Sequence, residues 1–259
     1  MMENNFLILI FVFAFGLIIG SFLNVVIYRL PRDISIVFPN SHCPKCGHKL
    51  KWYENIPIAS YIALKGKCSK CKTPISLRYP VVELLTALSA SFAYLKWGLS
   101  IDFVFSFVFL ALAIAISFID LDFKIIPDEL NLIGFLSGLI YSAIRTDFSI
   151  IDALLGSLIG AGFLFTIAYL YLKFRGIEGL GMGDVKLLAF FGTYLGWFGS
   201  LFVIFFGSIL GIIAGLILAY ISKSEDKAKF EIPFGPYLSI AGVLYLFFGE
   251  IIKNWYFRV

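Results

Sequence analysis

Apolar residues in this chain fall in long unbroken runs, separated by short joints rich in polar residues, glycine and proline. The runs cover roughly 6–28, 81–97, 101–119, 130–145, 149–172, 184–198, 200–221 and 234–252. Several reach the about 20 residues that a helix needs to cross a bilayer. The pattern predicts an all-α polytopic membrane protein with about eight transmembrane helices. The sixth and seventh runs nearly touch around "LGWFGS", where a single bent or re-entrant element also fits. The first run is too long for a signal-peptide core and has no small-residue cleavage site, so it is expected to be a retained span. No internal repeat and no low-complexity tract is evident.

The pattern breaks once. Between the first two runs lie about 50 residues of polar, proline-punctuated chain, read as a small domain inserted into a helical bundle. The expected organisation is a first transmembrane helix at 1–28, the insertion at 29–80 and a seven-helix membrane bundle at 81–259. All four cysteines sit in the insertion, as "CPKC" at 43–46 and "CSKC" at 68–71, with 21 residues between them. Two Cys-x-x-Cys knuckles at this spacing predict a tetrahedral Zn2+ site on Cys43, Cys46, Cys68 and Cys71. Lys45, Lys70 and Lys72 offset the negative charge of four thiolates. Gly47 is expected in a tight turn after the first knuckle. His42 and His48 are read as neighbours and not as ligands. A site with no open position is structural, so the metal is expected to fold the insertion.

Composition agrees with the pattern. The 259 residues are 60% hydrophobic and 15% charged, with a mean hydropathy of +0.92. A soluble chain is about 45–50% apolar and ~25% charged. The net charge of +4 follows from topology and not from a nucleic-acid partner. With the N-terminus outside, residues 29–80 are cytoplasmic and carry ten basic residues against two acidic ones. The joints "DLDFKIIPDE", "KFRGIEGLGMGD" and "SKSEDKAKFE" also fall inside. Of the 21 Lys and Arg, only Lys96, Arg145, Lys253 and Arg258 lie outside, as the positive-inside rule requires. Both termini are then outside. The insertion is in a reducing compartment, which argues for zinc over two disulfides.

Against this apolar background, carboxylates at helix ends stand out, because an ionised acid inside a membrane helix costs about 2.5–3.5 kcal/mol. "AISFIDLDFKIIPDELNL" holds Asp120, Asp122 and Asp128. Asp128 follows Pro127 and reads as an N-cap of the next helix. Asp122 reads as a headgroup-level acid. Asp120 closes the third run, where a negative charge opposes the helix dipole. Pairing with Lys124 is its local alternative. Asp184 opens the sixth run within "GLGMGDVKLL", where a helix N-terminus favours an anion. Gly181 and Gly183 are expected to permit positive φ and to leave room for an extended peptide beside Asp184. On the eight-helix topology Asp120 and Asp184 share the cytoplasmic face. Two carboxylates sharing a proton can hydrolyse a peptide bond with water and no cofactor. The dipoles suggest Asp184 as the resting base and Asp120 as the acid. Asn24 in the first run is expected to bond across helices, with a contact to substrate as the alternative.

The ordered set of these motifs resembles the bacterial prepilin peptidases, the type 4 class of GxGD intramembrane aspartyl proteases. It comprises "GSFLNVVIYRLP" at 20–31, the two knuckles, "ENIP" at 54–57, "RYPVVELLTA" at 78–87, "FIDLDFKIIPDELNL" at 118–132, "GMGDVKLLA" at 181–189 and "PFGPYLSIAG" at 233–242. The resemblance implies catalysis by Asp120 and Asp184 at the cytoplasmic face of the inner membrane. It implies substrates that are type IV prepilins and type II secretion pseudopilins, cut after the glycine that ends a basic leader. It also implies N-methylation of the new N-terminus with S-adenosylmethionine, an activity that goes with the cysteine-bearing segment. The residues alone show no methyl-donor pocket. Glu54, Asn55 and Glu83 are candidate contacts to substrate or methyl donor. Solvated or capping roles are the alternative for the first two, and an ion pair with Arg78 is the alternative for Glu83.

Two other classes compete. A transporter would use Asp120 and Asp184 as ion ligands, but matched inverted halves are not seen and the acids lie near one surface. A scaffold whose zinc loop binds a partner leaves Gly-x-Gly-Asp unexplained. The His-Glu-x-x-His pattern of one metalloprotease class is absent.

Overall fold

The computed structural model describes residues 2–176, 180–221 and 232–257, with side chains from residue 6 onward. The joint "SKSEDKAKFE", Gly179 and Arg258, all used in the reading above, lie wholly or mostly outside these residues. The helices are α1 (Met2–Arg29), α2 (Ala59–Ala63), α3 (Arg78–Trp97), α4 (Ile101–Phe123), α5 (Asp128–Ile144), α6 (Ile150–Arg175), α7 (Met182–Ile221) and α8 (Gly235–Phe257). Among the described residues there is no strand, only the isolated bridges His42–Lys49 and Lys67–Pro74. The chain is all-helical, as the runs of apolar residues require.

Among the described residues, five helical segments are long and apolar enough to cross a membrane: Phe6–Arg32, Ile101–Phe123, Ile150–Arg175, Met182–Ile221 and Gly235–Phe257. The protein is a multi-pass membrane protein. The remaining long helices are α3, which carries Arg78, Glu83 and Lys96, and α5, with 17 residues. At about 1.5 Å per residue, the 40 residues of α7 reach ~60 Å, twice a bilayer's apolar thickness. The helix breaks inside "LGWFGS", at Gly196, whose φ of 70° and ψ of −177° suit glycine alone. Helix ends elsewhere follow local chemistry. Ser149 and Asp152 form a reciprocal capping box at the start of α6, and Gly176 ends it in the left-handed region.

The chain divides into two compact units, residues 1–115 and 116–259. In the first, α1 and α3 pack closely because Gly16 and Gly20 of α1 carry no side chain. A Cβ on either would lie 2.6 Å from the Cα of Ala87 or Glu83. Small residues four apart are how apolar helices approach in lipid, where burying apolar surface gives no drive. Asn24 bonds across this contact as expected, its Nδ2 donating to the Tyr79 carbonyl at 3.0 Å.

The second unit is built around the first half of α7. Leu187, Leu188, Phe190 and Phe191 are fully buried. Gly134 of α5 makes room for the Phe190 ring, and Gly138 for Thr193 and Tyr194. The Ser137 and Tyr194 hydroxyls meet at 2.8 Å. Beyond the break, Ser200 donates to the Gly156 carbonyl at 2.9 Å, joining α7 to α6. Outward positions such as Phe11, Leu158 and Ile212 are 73%, 70% and 62% exposed. These are the side chains that would face acyl chains.

Candidate functional site

The two knuckles are built alike. Cys43 N–H donates to the His48 carbonyl and Cys68 N–H to the Thr73 carbonyl, both at 2.9 Å. The Cys43 carbonyl accepts from Gly47 N–H at 2.9 Å, and the Cys68 carbonyl from Lys72 N–H at 3.1 Å. Gly47 and Lys72, each four residues past the first cysteine, have φ of 67° and 59°. Gly47 therefore makes the expected turn, and the two segments form a structural repeat that residue identities conceal. The four Sγ atoms lie within 4.8 Å of one another, with Cys43–Cys71 at 3.8 Å and Cys46–Cys68 at 4.0 Å. None forms a disulfide. A tetrahedron with Zn–S bonds of about 2.3 Å has sulfurs ~3.8 Å apart, so these cysteines could hold a metal ion.

His48 is not among the clustered ligands; its Nε2 lies 3.2 Å from the Glu54 carboxylate. Glu54 also accepts the Lys51 N–H at 2.7 Å, and the Ser69 hydroxyl bonds to it. One carboxylate thus ties together both knuckles and the turn Trp52–Asn55. These bonds, the Lys51 N–H first, hold Glu54 down to about 2. Glu83 is buried in α3 and accepts the Ile58 N–H at 2.8 Å. Glu54, Asn55 and Glu83 all line one cavity of the first unit.

In the second unit α4 continues a turn past the expected end, so Asp120 lies within the helix and not at its close. Its Oδ2 accepts the Gly235 N–H at 2.8 Å. Asp184 lies in the first turn of α7. The two are 5% and 9% exposed, and near enough for the charge of Asp120 to act on Asp184. Asp184 Oδ1 is buried with no partner among the described residues, as are both polar atoms of Asn131. Asp128 is not the expected N-cap of α5. It is the first helical residue, and both its oxygens take Lys186 Nζ at 2.7 Å. That pair joins the N-terminus of α5 to the N-terminus of α7.

The glycines beside Asp184 serve space, not φ; neither Gly181 nor Gly183 has positive φ. A Cβ on Gly183 would lie 2.9 Å from Ile126 Cβ, and one on Gly181 would lie 3.3 Å from Asp184 Oδ2. A Cβ on Gly235 would lie 2.8 Å from Asp120 Oδ2 and 3.2 Å from Ile126 Cδ1. Ile126 therefore lies against the glycines that accompany both aspartates.

Comparison with known proteins separates hydrolysis from ion handling. Residues 14–97 match the family model of the bacterial Peptidase A24 N-terminal domain, and residues 107–216 match that of the type IV leader peptidase family. A protein of Pseudomonas aeruginosa named prepilin leader peptidase/N-methyltransferase is 38% identical, over 94% of this chain and 91% of its own length. Proteins of the same name from Burkholderia pseudomallei and Aeromonas hydrophila are both 37% identical. They cover 93% and 95% of this chain and 85% and 92% of their own lengths. This chain belongs to the type IV leader peptidase family. No solved structure matches.

Within this chain the four cysteines fall in the N-terminal-domain match, and Asp120 and Asp184 fall in the type IV leader peptidase match. Three features escaped sequence reasoning. Gly235 is 115 residues from the carboxylate it contacts. The Lys186–Asp128 pair spans 58 residues. Asn131 is 4% exposed, yet in sequence it is an ordinary residue of a helix's first turn.

Proposed function

We propose that this chain cleaves the basic leader from type IV prepilins and type II secretion pseudopilins and then N-methylates the new N-terminus. The observation that carries the first step is two buried carboxylates, on α4 and α7, whose neighbouring glycines Gly235 and Gly183 both lie against Ile126, in a chain 38% identical to a named leader peptidase. Asp120 and Asp184 are the catalytic pair. Water adds to the carbonyl carbon of the bond after the leader glycine. One carboxylate takes the water proton while the other, protonated, hydrogen-bonds the carbonyl oxygen. Collapse breaks the C–N bond, and the leaving nitrogen takes a proton from the pair. The hydrogen bonds favour the reverse of the assignment made from helix dipoles. The Gly235 N–H stabilises an ionised Asp120, and Asp184 Oδ1 has no donor among the described residues. Asp120 is then the base and Asp184 carries the shared proton, the pair titrating as a unit. Gly181 and Gly183 leave space beside Asp184 where α7 begins.

The positive-inside asymmetry supports an inner-membrane location with knuckles and carboxylates on the cytoplasmic side and both termini outside. The thiol spacing supports Zn2+ as the metal, with a structural role. S-adenosylmethionine, when bound, supplies an electrophilic methyl group for the second step, which we assign to the unit that holds the knuckles.

The test uses the purified full-length protein, S-adenosylmethionine and a precursor peptide with a basic leader, a glycine and an apolar segment. Mass spectrometry is expected to find the free leader and a mature peptide one methyl heavier. An intact precursor under these conditions overturns the reading.

A further inference from the structure

Where α1 gives way to the insertion, the first unit holds an open groove of about 430 Å³. One wall is the last turns of the membrane span, with Phe22, Val25 and Arg29. The other is the insertion's own chain, with Val37, Lys51 and Trp52. Arg29 is the unusual member. It is 7% exposed, and its guanidinium donates to the Ser35 carbonyl at 2.9 Å and the Pro39 carbonyl at 2.6 Å. Carbonyls orient the group without cancelling its charge. Among the described residues no carboxylate pairs with it. A buried cation without an anion is costly, and a guanidinium has more N–H donors than two carbonyls use. Exposed Lys51 brings a second positive charge to the same groove.

The rest of the groove is apolar and continues a surface already assigned to lipid. Phe11, Phe15, Ile18 and Phe22 are exposed along one stripe of α1, at helical spacings of four, three and four. That stripe runs into the groove at Phe22 and Val25. Opposite them Val37 is 65% and Trp52 80% exposed. A tryptophan beside the end of a membrane helix sits at headgroup level. We propose that this groove binds an anionic phospholipid of the adjacent leaflet and so seats the insertion on the membrane. The lipid phosphate meets Arg29 and Lys51, and an acyl chain follows Phe22 and Val25. Residues 29–80 carry ten basic residues against two acidic ones, which draws the insertion to an anionic surface. The same charges repel a basic leader, so a lipid suits the groove better than the substrate does. A free phosphate would satisfy Arg29 but leave the apolar wall uncovered.

The test uses the full-length protein in detergent micelles and reads Trp52 emission, with Trp52→Phe as the blank. The probes are short-chain phosphatidylglycerol, short-chain phosphatidylcholine, inorganic phosphate and a pilin-type peptide with a basic leader. The parent is expected to bind phosphatidylglycerol saturably and about tenfold more tightly than phosphatidylcholine. Arg29→Gln is expected to weaken that binding by about tenfold or more, and Lys51→Gln by about fivefold, with thermal midpoints held. The Lys51 side chain is exposed, so Lys51→Gln keeps the fold if Arg29→Gln does not. Equal affinity for the two lipids, or parent-like affinity for phosphatidylglycerol in both variants, overturns the assignment. Inorganic phosphate that binds as tightly as the lipid makes this a free-anion site, and the proposal fails. It fails too if the peptide saturates the Trp52 signal and phosphatidylglycerol does not. Leader cleavage plays no part in this readout, so the result is independent of the function proposed above.

Discussion

The two candidate sites are held together in opposite ways. Each cysteine knuckle closes on backbone bonds reaching no more than five residues, and the two knuckles lie 25 residues apart in the chain. The carboxylate site joins Asp120 to Asp184, 64 positions on, and takes a backbone donor from Gly235, 115 positions from Asp120. A site with local bonds is legible as a motif, and its four cysteines could hold a metal. A site assembled from three distant helices exists only if the bundle packs correctly. The first should tolerate change elsewhere in the chain, and the second should respond to single atoms added at a helix contact.

The largest expected effect tests the second site directly. Asp120→Asn and Asp184→Asn should each lower leader cleavage by at least ~10²–10⁴-fold, the range for losing an acid or base. Membrane insertion should be unchanged. Retention of more than about a tenth of parent turnover in either variant refutes the pair. Next comes the first site. Cys46→Ser or Cys71→Ser should lose the bound metal, measured by atomic emission, and with it methyl transfer. Cleavage should fall by no more than a few-fold, and an equal loss of both activities would show that the two sites are not separable.

Gly235→Ala is the sharper probe of long-range assembly. Its Cβ would sit 2.8 Å from Asp120 Oδ2, so the carboxylate must shift. A displacement near 1 Å costs on the order of 10²-fold in rate. A fall of about 10- to 100-fold in kcat is expected, with substrate binding little changed. Parent-like turnover would mean that the Gly235 contact does not position Asp120. Lys186→Ala should do much less. Its pair with Asp128 is roughly half-exposed, at 46% and 69%, and such pairs are worth under about 1 kcal/mol. Cleavage should drop less than about threefold, and a larger loss would give this tether a positioning role.

The smallest effect is in the pH dependence of the knuckle segment. Glu54 is held down to about 2, against 4.5 for the free group. Its contribution to stability is therefore complete above about pH 4.5 and is lost as pH falls towards 2. Glu54→Gln should flatten that part of the unfolding profile, compared with the parent after acid has released the metal from both. An unchanged slope would remove Glu54 from the bonds that join the knuckles.

How much could be read in advance differs residue by residue. The cysteines, the Gly47 turn and the cross-helix bond of Asn24 were legible because each depends on near neighbours or on a polar group amid apolar ones. Asp120 and Asp184 were legible as misfits, since a carboxylate in such a chain must have a reason to be there. Their partners were not. Asp128 looked like a helix cap and instead pairs with Lys186. Gly181 and Gly183 looked like sites of positive φ, yet they are small because Ile126 and the Asp184 carboxylate occupy the space. Helix dipoles favoured Asp184 as the base, whereas the Gly235 N–H donates to Asp120.

Sequence alone determined that this protein is a bundle of apolar helices interrupted by a four-thiolate insertion. Hydrophobic period, thiol spacing and charge asymmetry are properties of short stretches, so one dimension carries them. Tertiary structure decided which carboxylate receives a hydrogen bond and which glycines leave space. Those outcomes depend on ångström distances between helices far apart in the chain, set by side-chain volumes that no local pattern records.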